Sequence, residues 1–371
     1  MTSRITVDLI DRVKSTVEAS LYDAARRLPG LRHADLRLEV VEGKWALAEN
    51  GAPKSSGDAE RLALGVRVIA GEQTAAPGYV GLTLGAADLA ALERLLREAL
   101  EHAYRRATLN ADMKADAREK FGPLGEALAD TRLAPVAIRR DTVDAVYRVD
   151  PRAMELAEMV RYTAEVSREV AAASATVKHN WISTLTQLSR ELFASSEGAL
   201  IDQAQALTQG VCAVVAVAGT TSLDLYDVLG HQRGWEILLD GVEEPLIRFP
   251  TFREFSLALA REAAELAAAP PLPSSEREVV VVTDPHYNTL VSHEIIGHPV
   301  ELDRALKMET AYAGRSWLLR GLTEHQVGRR VASPLVTAYS DPSLPGYGHY
   351  AYDHEGTPAR RVVWHLPRFH E

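Results

Sequence analysis

The sequence predicts an α+β fold: an N-terminal helix–sheet–helix domain, then a larger, mainly antiparallel β domain that carries a histidine-bearing helix. Three observations lead there. The chain has 371 residues, more than one typical domain holds. Within the first 107 residues, alternating strand-like runs are flanked by two helical periods. From His179 to Val217, short alternating runs follow one another too closely for crossover helices, which favours an antiparallel meander over βαβ units.

The elements read as follows. Val7 to about Arg27 has the period of an amphipathic helix. Asp35–Val41, Lys44–Glu49 and Arg61–Ile69 alternate as strands, with turns expected at Glu42-Gly43 and Asn50-Gly51. Tyr79–Leu84 is a further strand. Ala86 to about Ala107 is a helix, apolar at Leu89, Leu92, Leu95, Leu96 and Leu100. This closes a first domain at residues 1–107. Residues 108–150 have little periodicity and read as a connector, and residues 151–371 form the second domain. Pro151–Ala175 opens it as a helix, with Asp150 before Pro151 as a start signal. Strands are expected at His179–Leu185, Gln187–Ala194 and Gly210–Val217, and a helix at Thr251–Ala268. The Pro-rich 270–275 segment leads to Val279–Val282, which reads as a buried strand. Asp284 is placed to cap the next helix, with Pro285 at its first position.

Composition narrows the function. Hydrophobic residues make up 46% and charged residues 25%, an ordinary globular balance. The net charge of −10 argues against nucleic acid as a partner, because phosphate binding needs clustered Lys and Arg. One cysteine, Cys212, rules out a disulfide framework and suits a reducing cytoplasm. It lies in an apolar strand and reads as a small core hydrophobe. The N-terminus lacks a signal-peptide core, and no apolar stretch is long enough to span a membrane.

Chemistry concentrates in His293-Glu294-Ile295-Ile296-Gly297-His298, followed by Pro299-Val300-Glu301-Leu302-Asp303. Neutral imidazoles are the commonest zinc ligands, and an adjacent carboxylate suits a general base. The spacing is i, i+5 rather than the i, i+4 of the H-E-x-x-H helix. On a regular helix, i+5 lies roughly 140° around from i, so two such rings miss a common ion. A π-bulge brings them together, and such bulges occur at functional sites. Gly297 and Pro299 mark where it is expected, so the helix is predicted to distort or end at Gly297–Pro299. Glu301 and Asp303 are candidates for a further ligand or for orienting a histidine. His349, His354, His365 and His370 read as surface histidines.

HEIIGHPVELD and the Val-rich run before it resemble the TldD/PmbA family of bacterial metallopeptidases. So do Ser195-Ser196-Glu197-Gly198 with Val211–Val217, Gly230-His231-Gln232-Arg233-Gly234 with the helix after Thr251, and Asp353-His354-Glu355-Gly356-Thr357-Pro358. Ala34–Leu38 and Leu64–Val68 look like the family's first domain. The resemblance implies Zn2+ on His293 and His298, with Glu294 as general base. It implies unfolded peptides or leader peptides as substrates, a cytoplasmic location, and a homodimer or a heterodimer with a second family member. The family has also carried a DNA-gyrase-modulator label, which the acidic charge does not support. A C-terminal cysteine ligand belongs to the family pattern. Here the tail Trp364–Glu371 stands where that segment is expected, so the resemblance implies a shortened end without that ligand. The alternative reading is therefore a non-catalytic subunit that shapes the substrate chamber of a complete homologue.

Overall fold

In the computed structural model, which describes residues 5–123, 125, 133, 138–274, 278–305, 314–318 and 332–364, the alternating runs join into strands longer than periodicity alone suggests. Helix α1 (Leu9–Arg27) buries Ile10, Val17 and Leu21. Strand β1 (Leu31–Glu49) is continuous. The turn expected at Glu42-Gly43 is absent, and Gly43 lies in the ladder opposite Gln187. A Cβ there would stand 3.1 Å from that residue's Cβ, so the glycine serves close strand approach. The expected turn at Asn50-Gly51 is present. Both residues have positive φ (47° and 82°), as a two-residue hairpin requires. Strands β2 (Ala52–Ala70) and β3 (Ala76–Leu84) follow.

The second expected helix begins as a 3₁₀ turn at Ala86–Ala91. It continues as α2 (Leu92–Phe121), well into the segment read as a connector. That far end buries only Ala107 and Ala111, too little apolar contrast to show as a period. A short strand, β4 (Arg140–Val143), also lies in that segment. Pro151–Ala153 is a 3₁₀ turn capped by Asp150, and helix α3 starts only at Leu156 and runs to Ala172. The two strands expected around Thr186 are one strand, β5 (Val177–Ser195). Thr186 interrupts the apolar alternation, yet its buried hydroxyl pairs with that of Thr208 at 2.7 Å. Strands β6 (Leu200–Ala218) and β7 (Thr221–His231), the short helix α4 (Glu236–Asp240), a hairpin of β8 (Val242–Glu244) and β9 (Ile247–Phe249), and helix α5 (Phe252–Ala268) complete this part.

The large sheet runs β3-β2-β1-β5-β6, antiparallel throughout and curled into a half-barrel. The far side of β6 is shared: β4 pairs parallel with Leu200–Gln203, and β7 pairs antiparallel with Thr208–Ala218. Even-numbered residues of β1, β2, β3, β5 and β6, and odd-numbered residues of β7, point to the helix-covered face. Leu36, Leu38, Leu64 and Leu192 meet α1 and α2, while Ile182, Cys212 and Val214 meet α3 and α5. The opposite face is open and lines clefts. One holds Arg37, Glu39, Tyr79, Glu191 and His354; another holds Trp181, Val215, Asp224 and Tyr226.

The division of the chain differs from the expected boundaries at 107 and 150. Strand β1 pairs with β5 from Asp35 opposite Ser195 to Glu49 opposite Trp181. One sheet thus crosses both boundaries. The structure instead forms a first unit of residues 1–270 and 343–359, and a second of 271–342 and 360–371.

In the second unit, β10 (Ala338–Ser340) pairs with β11 (Val362–Trp364), and helix α6 spans Pro285–Ser292. Val279–Val282 is not the buried strand expected. It forms no strand, and its valines are 69%, 94%, 73% and 92% exposed. An apolar run becomes a core strand only where a sheet accepts it, and among the described residues none pairs with it.

Candidate metal centre

The start of α6 is as its residues demand. The Asp284 carboxylate accepts the Tyr287 N–H at 2.6 Å, and Pro285 occupies the first helical position, where no N–H is needed. After Ser292 the helix widens. His293–Gly297 is a π turn, closed by a hydrogen bond from the His298 N–H to the His293 carbonyl. Pro299, with no N–H to continue the ladder, sits in a following 3₁₀ turn, His298–Val300. The distortion expected at Gly297–Pro299 is therefore found. Gly297 itself stays in right-handed helical geometry (φ −54°, ψ −61°).

The π turn places the two imidazoles together. Their ring centroids are 4.2 Å apart, with planes crossed at 77°. His293, Glu294 and His298 each offer one donor atom, all within 4.8 Å of one another. Two nitrogens on one tetrahedral zinc, each about 2.1 Å from it, lie roughly 3.4 Å apart. Small rotamer adjustments close that gap, so the imidazole pair fits a divalent ion, with the Glu294 carboxylate beside it. His293 and Glu294 are each 58% exposed and His298 is 27% exposed, which leaves room for a substrate carbonyl.

The two further candidates behave differently. Glu301 Oε1 lies 2.9 Å from His298 Nδ1, and Arg304 Nε donates to its other oxygen. Desolvation opposes ionisation of Glu301, but these two hydrogen bonds outweigh it and hold the carboxyl below its usual range. Asp303 accepts the Arg304 backbone N–H at 2.8 Å and is outside the donor group. Sequence reading missed Arg304 and Ser316. Arg304 carried a signal, its i, i+3 spacing from Glu301. Ser316, buried and donating to the Pro299 carbonyl at 2.6 Å, carried none.

Cys212 is where it was expected, in the sheet core. Burial pushes its thiol up to about 12. His354 lies 3.2 Å from Glu191, while His365 and His370 fall outside the described residues. The Gly230–Gly234 and Asp353–Pro358 regions are joined through the returning 343–359 segment. Gln232 donates to the carbonyls of Tyr347 and His349 at 2.9 and 2.6 Å, and Gln203 to that of Tyr352 at 3.0 Å. Asp353 accepts the N–H groups of Glu355 and Thr357, folding the turn.

A second charged cluster was invisible in sequence. His33 bridges Asp35 at 2.8 Å and Glu197 at 2.9 Å, and Arg67 joins Asp35 to Glu355. Burial pushes His33 down, but the two carboxylates outweigh it and raise the imidazole to about 9. Burial pushes Glu197 up, yet the hydrogen bond from His33 helps bring it to about 2.

Comparison with known proteins adds likeness in family domains and in fold. Residues 276–365 match the family model described as PmbA/TldA metallopeptidase C-terminal domain, and residues 34–103 match PmbA/TldA metallopeptidase domain 1. A metalloprotease of Methanothermobacter thermautotrophicus is 29% identical over 182 residues, 49% of this chain and 35% of that protein. One from Archaeoglobus fulgidus is 31% identical over 130 residues, 35% of this chain and 25% of that one. The matches thus span about a third or less of these relatives. Among solved structures, a proposed DNA-gyrase modulator from Bacteroides thetaiotaomicron aligns with TM-score 0.63 at 12% identity, over 99% of this chain and 72% of that one. TldE from Thermococcus kodakarensis aligns with TM-score 0.60 at 14% identity, over 95% and 68%. These two share the fold, a mixed helical and antiparallel α+β architecture. Two stretches of this chain are thus similar to domains of the PmbA/TldA metallopeptidases, and parts of it to proteins named metalloproteases.

Proposed function

We propose that this chain is a zinc-dependent peptidase of the TldD/PmbA type, acting on unfolded or leader peptides. His293 and His298 hold the ion, and Glu294 is the general base. The observation that carries this reading is the π turn, which brings both imidazoles and one carboxylate within 4.8 Å. When bound, zinc supplies a Lewis acid that polarises a peptide carbonyl and acidifies water. Glu294 takes the proton of the attacking water and delivers it to the leaving amine. The free edge of an extended substrate is suited to backbone pairing with a sheet, which is indifferent to side-chain identity.

A second reading is a non-catalytic subunit that shapes the substrate chamber of a complete homologue in a heterodimer, whereas the peptidase reading suits a homodimer or a heterodimer. The subunit reading is favoured by the small donor set, two imidazoles and one carboxylate among the described residues. A cytoplasmic location is supported by the single buried thiol, and no described helix is long and apolar enough to cross a membrane.

Metal analysis of the purified chain, with hydrolysis of an unfolded protein substrate, tests the proposal. About one zinc per chain, with activity lost to a chelator and restored by zinc, is expected for a site of this kind. A chain that stays metal-free under zinc-replete conditions sinks the peptidase reading and leaves the subunit reading.

A further inference from the structure

The second histidine of the motif is gripped from behind. Its Nδ1 faces Glu301 Oε1 at 2.9 Å, three residues on, and Arg304, three residues further, donates Nε to the other carboxylate oxygen. Both oxygens of Glu301 are thus engaged, which removes it from the pool of direct ligands. With Nδ1–H donated to a carboxylate, the imidazole lone pair lies on Nε2, the atom left for an ion. Arg304 is itself fixed: its carbonyl accepts the Ser316 N–H at 3.3 Å, while the Ser316 hydroxyl ties down the Pro299 carbonyl. His293 differs. It is 58% exposed and stands 3.8 Å from Glu294, beyond hydrogen-bond range.

We propose that Glu301, held by Arg304, is a positioning residue that fixes His298 as an Nε2 ligand before the metal arrives. One imidazole is preset and the other swings in. A carboxylate behind a ligating histidine fixes its tautomer and orientation and strengthens it as a donor. The inference rests on the metal reading above, and its test separates the two.

Two measurements on the intact chain decide it. In the metal-free wild type, two-bond proton–nitrogen NMR correlations of His298 are expected to show the Nδ1–H tautomer. The Nε2–H form overturns the proposal without any variant. Zinc affinity is then measured by competition with a fluorescent chelator. Glu301→Ala is expected to weaken binding about 10- to 100-fold, the usual effect of removing such a partner. Glu301→Gln keeps an acceptor without the charge, so it falls between. Arg304→Ala moves in the same direction by less. Cobalt substitution guards against the alternative: Glu301→Gln keeps the visible absorption of the wild type if Glu301 only positions, and changes it if Glu301 ligates. Unchanged zinc affinity in a folded Glu301→Ala chain overturns the proposal while the metal centre stands. A wild type that binds no zinc overturns the metal reading itself.

Discussion

Glu294 follows a ligand candidate directly, and on the π turn its carboxylate reaches the same small volume as both rings. Removing its basicity separates binding from chemistry. Glu294→Gln is expected to lower turnover by at least about 100-fold, the usual contribution of a general base, while zinc content stays at the wild-type level. Retained activity in that variant moves the base elsewhere. The motif residues were legible because imidazole and carboxylate side chains have few common reasons to cluster at this spacing. The roles of Glu301 and Asp303 were not, since two carboxylates two residues apart differ only in which one Arg304 and His298 engage.

At the scale of elements, close backbone approach fixes several positions that composition cannot explain. Gly78 in β3 packs under α2, where a Cβ would stand 2.1 Å from the Ala103 carbonyl oxygen and 2.4 Å from the Ala107 nitrogen. Those are helix backbone atoms and cannot swing aside, so the helix must move. Gly78→Ala is expected to destabilise the fold by about 1–3 kcal/mol, the usual range of overpacked sites. A denaturant midpoint equal to the wild type argues that α2 is not seated as described. The π turn is the opposite case. Pro299 ends the hydrogen-bond ladder by its own chemistry, so the distortion is legible in the residues themselves.

For the whole molecule, long-range charge pairing adds a dependence on pH. His33 lies 164 residues from Glu197, and Arg67 lies 288 from Glu355. The folded imidazole is raised to about 9 from an ordinary 6.5. Its contribution is therefore fully present below about pH 6.5 and fades as pH rises through about 9. That contribution is on the order of 2 kcal/mol after allowing for partial exposure. Across that window the stability of the wild type is expected to fall relative to His33→Gln, which lacks the titration. Parallel curves for the two proteins dispose of the idea.

The sequence alone determined the first helix, read from Val7 to about Arg27 and found at Leu9–Arg27, the hairpin at Asn50-Gly51, the cap at Asp284 and the helix distortion expected at Gly297–Pro299. Each rests on interactions within about one turn of chain, and such interactions are written in neighbouring residues. Tertiary structure decided the rest. It joined β1 to β5 across both expected domain boundaries, carried β5 through Thr186 by a hydroxyl pair with Thr208, and left Val279–Val282 exposed. Strand pairing and burial depend on partners far along the chain, and an apolar period says only that a face seeks cover, never which surface provides it.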